Sequence, residues 1–213
     1  MDKQKQNILE FYGDYILKHN ERPKNIHLFS EKINISESEF YQLFSSFENL
    51  EKEVFVAFYE NTINLINGYP DYLEMNSTDK ILTFYYTFFQ VLTENRTLVK
   101  LLFENNKSIT NPFSILSKFQ NHFLKYTDEL NFSISGISNI ITENVSSKLL
   151  PKAIWVQFLA ILKYWLEDNS HGFEKTDLFI EKSVRAGNDL IDLSKFSSLL
   201  DLGKFLYHEK LKM

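Results

Sequence analysis

Hydrophobic positions recur with the period of an α-helix along most of the chain. Near the N-terminus the apolar residues fall three, four and seven positions apart, as expected for one buried helical face. These residues are Ile8, Phe11, Tyr12, Tyr15 and Ile16. No segment alternates apolar and polar residues between hairpin turns, as a half-buried strand would. The pattern therefore predicts an all-α protein.

The same period, read with prolines and capping residues, predicts the later helices. One long helix is expected to begin at Glu48. The others are expected near 77–93, 95–106, 112–131, 136–148, 150–168, 174–192 and 196–210. The prolines stand where helices begin or connect, because a proline in a first turn lacks only an N–H that would be unpaired there; they are Pro23, Pro70, Pro112 and Pro151. His171-Gly172 is expected to turn between two long helices, forming an antiparallel hairpin suited to packing against a symmetry mate.

The segment from Ile33 to Leu50 predicts a helix-turn-helix. Ser36 and Glu39 have the spacing of a capping box, in which the serine and glutamate side chains each accept from the other's backbone N–H. Phe40 and Phe44 then fall four apart on one helical face. Ser46 is placed to cap the next, longer helix. The segment contains no lysine or arginine.

Composition narrows the class of protein. The 213 residues are 44% hydrophobic with 6 Gly and 4 Pro, which favours a packed globular chain. The absence of cysteine excludes disulfides, thiolate metal sites and cysteine nucleophiles. No secretory signal and no run near eighteen apolar residues is visible, so a cytoplasmic protein is expected. The net charge of −5 gives no general attraction to nucleic acid.

The order of these elements resembles the DNA-binding domain of TetR/AcrR-type regulators. Asn34-Ile35-Ser36 stands at that family's turn, Tyr41 at its tyrosine, Phe44 at its closing phenylalanine, and residues 46–50 at the start of its fourth helix. The resemblance covers roughly the first 65 residues. FEKTDLFIEKSV and DLGKFLYHEK further resemble a Bacteroidetes subgroup of TetR-like proteins.

The resemblance implies a TetR-like architecture. It places an N-terminal three-helix helix-turn-helix domain at residues 1–50 and a larger helical ligand-binding and dimerisation domain at 51–213. It implies a homodimer that binds operator DNA and responds to a small hydrophobic ligand. The residues expected at the DNA are Lys24, Glu37, Ser38, Tyr41, Gln42 and Phe47.

Three departures from the family pattern bear on DNA binding. Phe47 stands where the family has a lysine that reaches a phosphate, and Leu43 replaces the second aromatic residue of the recognition helix. Glu37 and Glu39 lie at that helix's N-terminus, which would otherwise attract phosphate. Residues 1–53 hold seven cations against ten anions, a net charge of −3. This balance predicts weak nonspecific DNA affinity at physiological salt.

A set of rings and two polar groups in the larger domain is the second candidate site. It is expected either to surround a cavity for a lipid, quinone or other apolar molecule, or to fill a solid core. Its members are Phe84, Tyr85, Phe88, Phe103, Phe119, His122, Phe123, Tyr126, Trp155 and Phe158. The alternative function is therefore a TetR-fold lipid- or quinone-binding protein that has lost DNA binding.

Other classes receive little support from the sequence. There is no Gly-rich phosphate loop, no Gly-x-Ser-x-Gly elbow and no His-Glu-x-x-His motif, so no enzyme activity is expected. The five histidines are scattered without ligand spacing, so neither a metal site nor a cofactor is expected. The amphipathic segment 195–213 is expected to pack against the domain's core, with a membrane surface as the alternative.

Overall fold

The computed structural model describes residues 3–106, 112–130, 132 and 140–191, with the backbone alone at 112, 140–149 and 188–191. The described residues form nine α-helices and no strand, which confirms the all-α prediction. The helices are α1 Lys3–His19, α2 Ile26–Lys32, α3 Glu37–Leu43, α4 Phe47–Asn67, α5 Ser77–Glu94, α6 Arg96–Asn105, α7 Ser117–Glu129, α8 Ile140–Glu167 and α9 Glu174–Ile191. Short 3-10 turns occupy Tyr72–Glu74, Pro112–Leu116 and His171–Phe173. The helix predicted at 196–210 lies outside the described residues.

Two of the predicted helix boundaries were wrong. The helices expected at 136–148 and 150–168 form one helix, α8, with Pro151 in its interior. An interior proline costs about 3 kcal/mol through a lost hydrogen bond and a steric clash. Phe158 and Ile161, both fully buried further along α8, provide the packing that outweighs this cost. The helix expected from residue 112 begins as a 3-10 turn and becomes α-helical at Ser117.

The chain divides into two compact units. Unit 1 comprises Met1–Pro70 and Tyr86–Phe123, and unit 2 comprises Asp71–Tyr85 and Leu124–Met213. Helices α5 and α7 therefore contribute residues to both units. The functional boundary expected at residue 50 is a different division and stays a prediction.

The helix-turn-helix part of unit 1 is built on a cluster of buried rings: Tyr12, Phe29, Phe40, Phe44 and Phe47. The Phe47 ring stacks on Tyr12 at 5.5 Å and meets the edges of Phe29 at 5.6 Å and Phe40 at 5.8 Å. Such pairs add to the hydrophobic stabilisation of a core. Phe47 therefore lies in the core of this part of unit 1.

A buried carboxylate links four segments of unit 1. Glu51 on α4 is fully buried, and Arg22, in the loop after α1, donates to its Oε1 at 2.7 Å and to its Oε2 at 2.6 Å. The Tyr12 hydroxyl donates to Oε1 at 2.6 Å, and the amide of Asn106, which ends α6, donates to Oε2 at 2.8 Å. The hydrogen bond to Glu51 raises the pKa of Arg22, and burial raises that of Tyr12. Every partner of the buried charge is thus polar and well placed.

In unit 2, the turn between α8 and α9 is closed by Asp168. Its carboxylate accepts from the backbone N–H of Ser170 at 2.8 Å and from the hydroxyl of Thr176 at 2.6 Å. Burial opposes its ionisation, but these hydrogen bonds outweigh that effect and lower the pKa of Asp168 to about 2. The turn expected at His171-Gly172 is present, and Gly172 adopts a left-handed conformation there, at φ +60.

We expect the variant Arg22→Met to lower the free energy of unfolding by about 3 kcal/mol or more, because it leaves the Glu51 charge buried without its cation. Urea denaturation followed by circular dichroism measures this loss. The control is Arg185→Met, which removes an exposed i,i+4 pair with Glu181 and should cost at most about 0.5 kcal/mol. Adding Glu51→Leu to Arg22→Met should recover part of the loss. Equal stability of the two single variants would contradict the role given to Glu51.

The two phenylalanines Phe47 and Phe11 provide a second test of the core. Phe47 is 9% exposed and Phe11 is 55% exposed. We expect Phe47→Ala to lower the free energy of unfolding by about 3 kcal/mol through lost burial and a residual cavity. Phe11→Ala should change it by at most about 0.5 kcal/mol. Urea titrations of the two variants in parallel measure these losses. A small loss of stability in Phe47→Ala would contradict the assignment of Phe47 to the core.

Candidate DNA-binding and ligand-binding sites

A side-chain cap begins each of the two helices α2 and α3. Asn25 accepts from the Leu28 backbone N–H at 2.8 Å and begins α2. The capping box predicted at Ser36 is present, since Ser36 accepts from the Glu39 N–H at 3.2 Å and Glu39 accepts from the Ser36 N–H at 2.7 Å. Asn34 turns the chain at φ 58, a left-handed conformation that asparagine tolerates. The predicted cap at Ser46 is also confirmed.

Helix α3 presents a polar face to solvent. Phe40 is buried in the ring cluster, whereas Ser38, Tyr41 and Gln42 are exposed. Glu39 is exposed too, but its carboxylate turns back onto Ser36, and the hydrogen bonds from the Ser36 backbone and hydroxyl lower the pKa of Glu39. The outward-facing groups of α3 are therefore mostly neutral hydrogen-bonding side chains.

Glu37 is the remaining carboxylate at the start of α3. Its Oε1 lies 2.8 Å from Nδ1 of His27 on α2, and both side chains are exposed. Lys24 lies exposed in the loop before α2. Five of the six residues predicted at the DNA thus lie at the surface, while the sixth, Phe47, lies in the core.

Much of the acidic charge in this part of the chain is neutralised internally. Arg22 pairs with Glu51 and also with Glu48, both at 2.6 Å. Glu53 on α4 pairs with Lys5 at 2.6 Å and with Lys118. The net charge of residues 1–53 is therefore a poor measure of the charge on the α3 face, because several of the charges counted are paired internally. Sequence reasoning missed these pairs because their members stand 26 to 65 positions apart.

The residues predicted around a ligand fall into both units. Unit 1 holds Phe88, Phe103, Phe119, His122 and Phe123, and unit 2 holds Phe84, Tyr85, Tyr126, Trp155 and Phe158. In unit 1 the Phe88 and Phe119 rings stack at 4.9 Å, and Phe123 meets Phe119 at 5.7 Å. His122 is exposed and lies 5.5 Å from the Tyr59 ring. Phe88, Phe119 and Phe123 thus pack against one another, whereas Phe103 packs against Phe55 and Phe113.

The unit 2 rings are packed as closely. Trp155 stacks on Phe158 at 5.2 Å, and the rings of Phe84 and Tyr126 lie 4.8 Å apart. The hydroxyls of Tyr72 and Tyr126 lie 2.7 Å apart, and Tyr126 donates to the Lys80 carbonyl at 3.2 Å. Both tyrosines therefore have partners for their hydroxyls inside unit 2.

An open cavity of about 460 Å³ lies in unit 2 between α5, α8 and α9. Its walls are mainly apolar or small, and none of its described lining residues belongs to the predicted ring set. They are Thr78, Ile81, Phe132, Leu150, Ala153, Ile154, Gln157, Ser183, Val184, Ala186 and Gly187. The small residues at 153, 183, 186 and 187 are the sequence signal that could have indicated this space.

Gln157 is the central polar side chain of this cavity. Its Nε2 donates to the Ser183 carbonyl at 2.8 Å, and its Oε1 accepts from the Tyr85 hydroxyl at 3.2 Å. Burial raises the pKa of Tyr85, which therefore stays a neutral donor. These bonds hold the Gln157 amide in place while it still has hydrogen-bonding capacity. The cavity can therefore accommodate an apolar molecule that carries a polar group.

The described part of the chain shows neither a cluster of metal ligands nor a helix suited to span a membrane. No three His, Asp or Glu side chains gather there in a way that would hold a metal ion. None of the helices described has the length and apolarity that a membrane-spanning segment requires.

Comparison with known proteins identifies the family. No curated protein matches the chain significantly. A family model described as "Tetracyclin repressor-like, C-terminal domain" matches residues 80–206, more than half of the chain. This match lies beyond the helix-turn-helix, in the larger helical part of the chain. The chain therefore belongs to the tetracycline repressor-like (TetR) family.

Proposed function

We propose that this protein is a cytoplasmic TetR-family transcriptional regulator that binds operator DNA as a homodimer and responds to a small apolar ligand. The observation that carries the proposal is the α3 face. Ser38, Tyr41 and Gln42 are exposed together on a helix that is capped at its start and anchored by Phe40. Such a helix suits insertion into the major groove.

The chemistry of this face favours recognition by hydrogen bonds over attraction by charge. A glutamine side chain can pair in a bidentate manner with adenine, and Ser and Tyr hydroxyls contact bases or phosphates. Neighbouring cations are few, so phosphate neutralisation contributes less than in a basic DNA-binding domain. Specific contacts must therefore supply a larger share of the affinity.

Dimerisation is proposed through α8 and α9. Apolar side chains are exposed on these two helices, namely Val156, Tyr164 and Leu178 at 64%, 39% and 49%. A two-fold axis would pair such a surface with itself and cover these residues. To bind an operator, such a dimer must present two α3 helices to successive major grooves about 34 Å apart.

The cavity in unit 2 is proposed to hold the ligand. Its volume of about 460 Å³ suits a small molecule. Apolar walls with one fixed amide, Gln157, favour a largely apolar ligand with a single hydrogen-bonding group. A ligand that binds one dimer geometry more tightly than another shifts the population away from the DNA-binding geometry.

The first test concerns Gln42. We expect Gln42→Ala to weaken binding to the protein's own upstream DNA by about tenfold, within the range of one lost bidentate base contact. Binding to unrelated DNA should change little. Fluorescence anisotropy with labelled duplexes across a salt series measures both affinities.

Two further variants sharpen this test. Gln90→Ala on α5 removes a glutamine whose amide donates to Glu94, and it should leave DNA affinity unchanged. Glu37→Gln should strengthen binding to all sequences, most at low salt, because it removes a repulsive charge. If the wild-type protein binds no upstream DNA even at low salt, the proposal of a DNA-binding regulator is wrong. That result would favour the alternative, a lipid- or quinone-binding protein.

A separate test concerns the cavity. Native mass spectrometry of the protein purified from its own host should show a bound small molecule. We expect Ala153→Phe, which places a ring in the cavity, to abolish that mass difference. Ala57→Phe, the same change on α4 in unit 1 and outside the described lining of this cavity, should retain it. An empty wild-type protein, or an unchanged mass in Ala153→Phe, would exclude the cavity as the ligand site.

A further inference from the structure

We propose that a groove in unit 1 binds a small organic cation with an apolar body. The groove lies between α1, α4 and α6 and has a volume of about 510 Å³. This size falls within the range of small-molecule sites. The proposal concerns a site apart from the unit 2 cavity, and it does not depend on DNA binding.

The floor of the groove is apolar. Leu9, Val54 and Leu98 each contribute a largely buried side chain from a different helix. Gly13 lets α1 approach α6 closely, because a Cβ there would lie 3.3 Å from Cδ2 of Leu98. A side chain at position 13 would therefore both crowd α6 and fill the space. The glycine keeps the groove open above an apolar floor.

The rim of the groove is acidic and lacks a counterion. Glu10 and Asp14, one turn apart on α1, and Glu60 on α4 all line it, with no Lys, Arg or His among its described lining residues. Glu10 accepts a hydrogen bond from Gln6 at 3.0 Å. Within the described residues, Asp14 and Glu60 have no hydrogen-bond or ion-pair partner. Elsewhere on α4, by contrast, Glu51 pairs with Arg22, and Glu53 pairs with Lys5 and Lys118.

The acidic rim and the apolar floor together indicate which class of ligand the groove would bind. A concave site lined by one sign of charge attracts the opposite charge, and an apolar floor adds affinity for hydrocarbon or rings. A protein partner would need roughly 800 Å² on this side alone, which is more than a groove of this size offers. A free metal ion is disfavoured because the described carboxylates do not converge as ligands. An amphiphilic organic cation satisfies both the rim and the floor.

The experiment uses two dyes that share a xanthene ring system. Rhodamine 6G is a cation and fluorescein is an anion, so their comparison isolates the charge. Fluorescence anisotropy with the full chain should show binding of rhodamine 6G and at least tenfold weaker binding of fluorescein. The double variant Asp14→Asn/Glu60→Gln should weaken rhodamine 6G binding by about fivefold, as expected for the loss of two partly exposed charge contacts.

Matched variants separate the groove from general charge attraction. Glu21→Gln/Glu31→Gln changes the net charge equally at exposed positions outside the groove lining and should alter binding by less than twofold. Ala57→Phe should abolish binding by filling the groove, whereas Ala153→Phe in the unit 2 cavity should not affect it. Equal affinity for both dyes, equal weakening by the two charge-neutralising variants, or loss of binding in Ala153→Phe would each overturn the proposal.

Discussion

The buried carboxylate of Glu51 is the constraint around which unit 1 is arranged. A charge with no exposure to water must be matched by donors, and here they come from α1, the loop after α1, and the end of α6. Glu51 and Asn106 both accept hydrogen bonds from Arg22, and Arg22 in turn fixes the loop that leads into α2. The placement of the helix-turn-helix against α4 therefore depends on an interaction that is costly to break.

This arrangement separates the stability of the helix-turn-helix from its contact surface. Phe40 and Phe47 serve the core, and Glu39 serves the cap of α3. What remains for recognition is a short row of neutral side chains beside one carboxylate, Glu37. A surface of this kind binds DNA through matched short-range contacts or does not bind it at all, since long-range attraction is weak.

The parts of the fold that were predicted from sequence are those set by local spacing. Ser36 and Ser46 act within three residues, and Phe40 repeats the helical period, so each was visible in the chain itself. The helix boundary predicted at Pro151 was wrong, because whether a proline ends a helix depends on the packing of residues further along that helix. The pairing of Arg22 with Glu51 joins residues 29 positions apart, and no pattern in the sequence encodes it. The rings were expected at a cavity or in a solid core, and they pack against one another within each unit.

Cavities are the least predictable feature because they arise where side chains are missing. The unit 2 cavity depends on small residues from two helices, and the unit 1 groove depends on Gly13. The two spaces have similar volumes, but the described lining of the unit 2 cavity has no charged residue, whereas that of the unit 1 groove has three carboxylates. A neutral apolar molecule gains nothing from the carboxylates Asp14 and Glu60, while an organic cation would lose hydration among the apolar walls around Ile154 without meeting a counterion. The desolvation cost of charge would therefore keep the proposed occupants of the two spaces distinct.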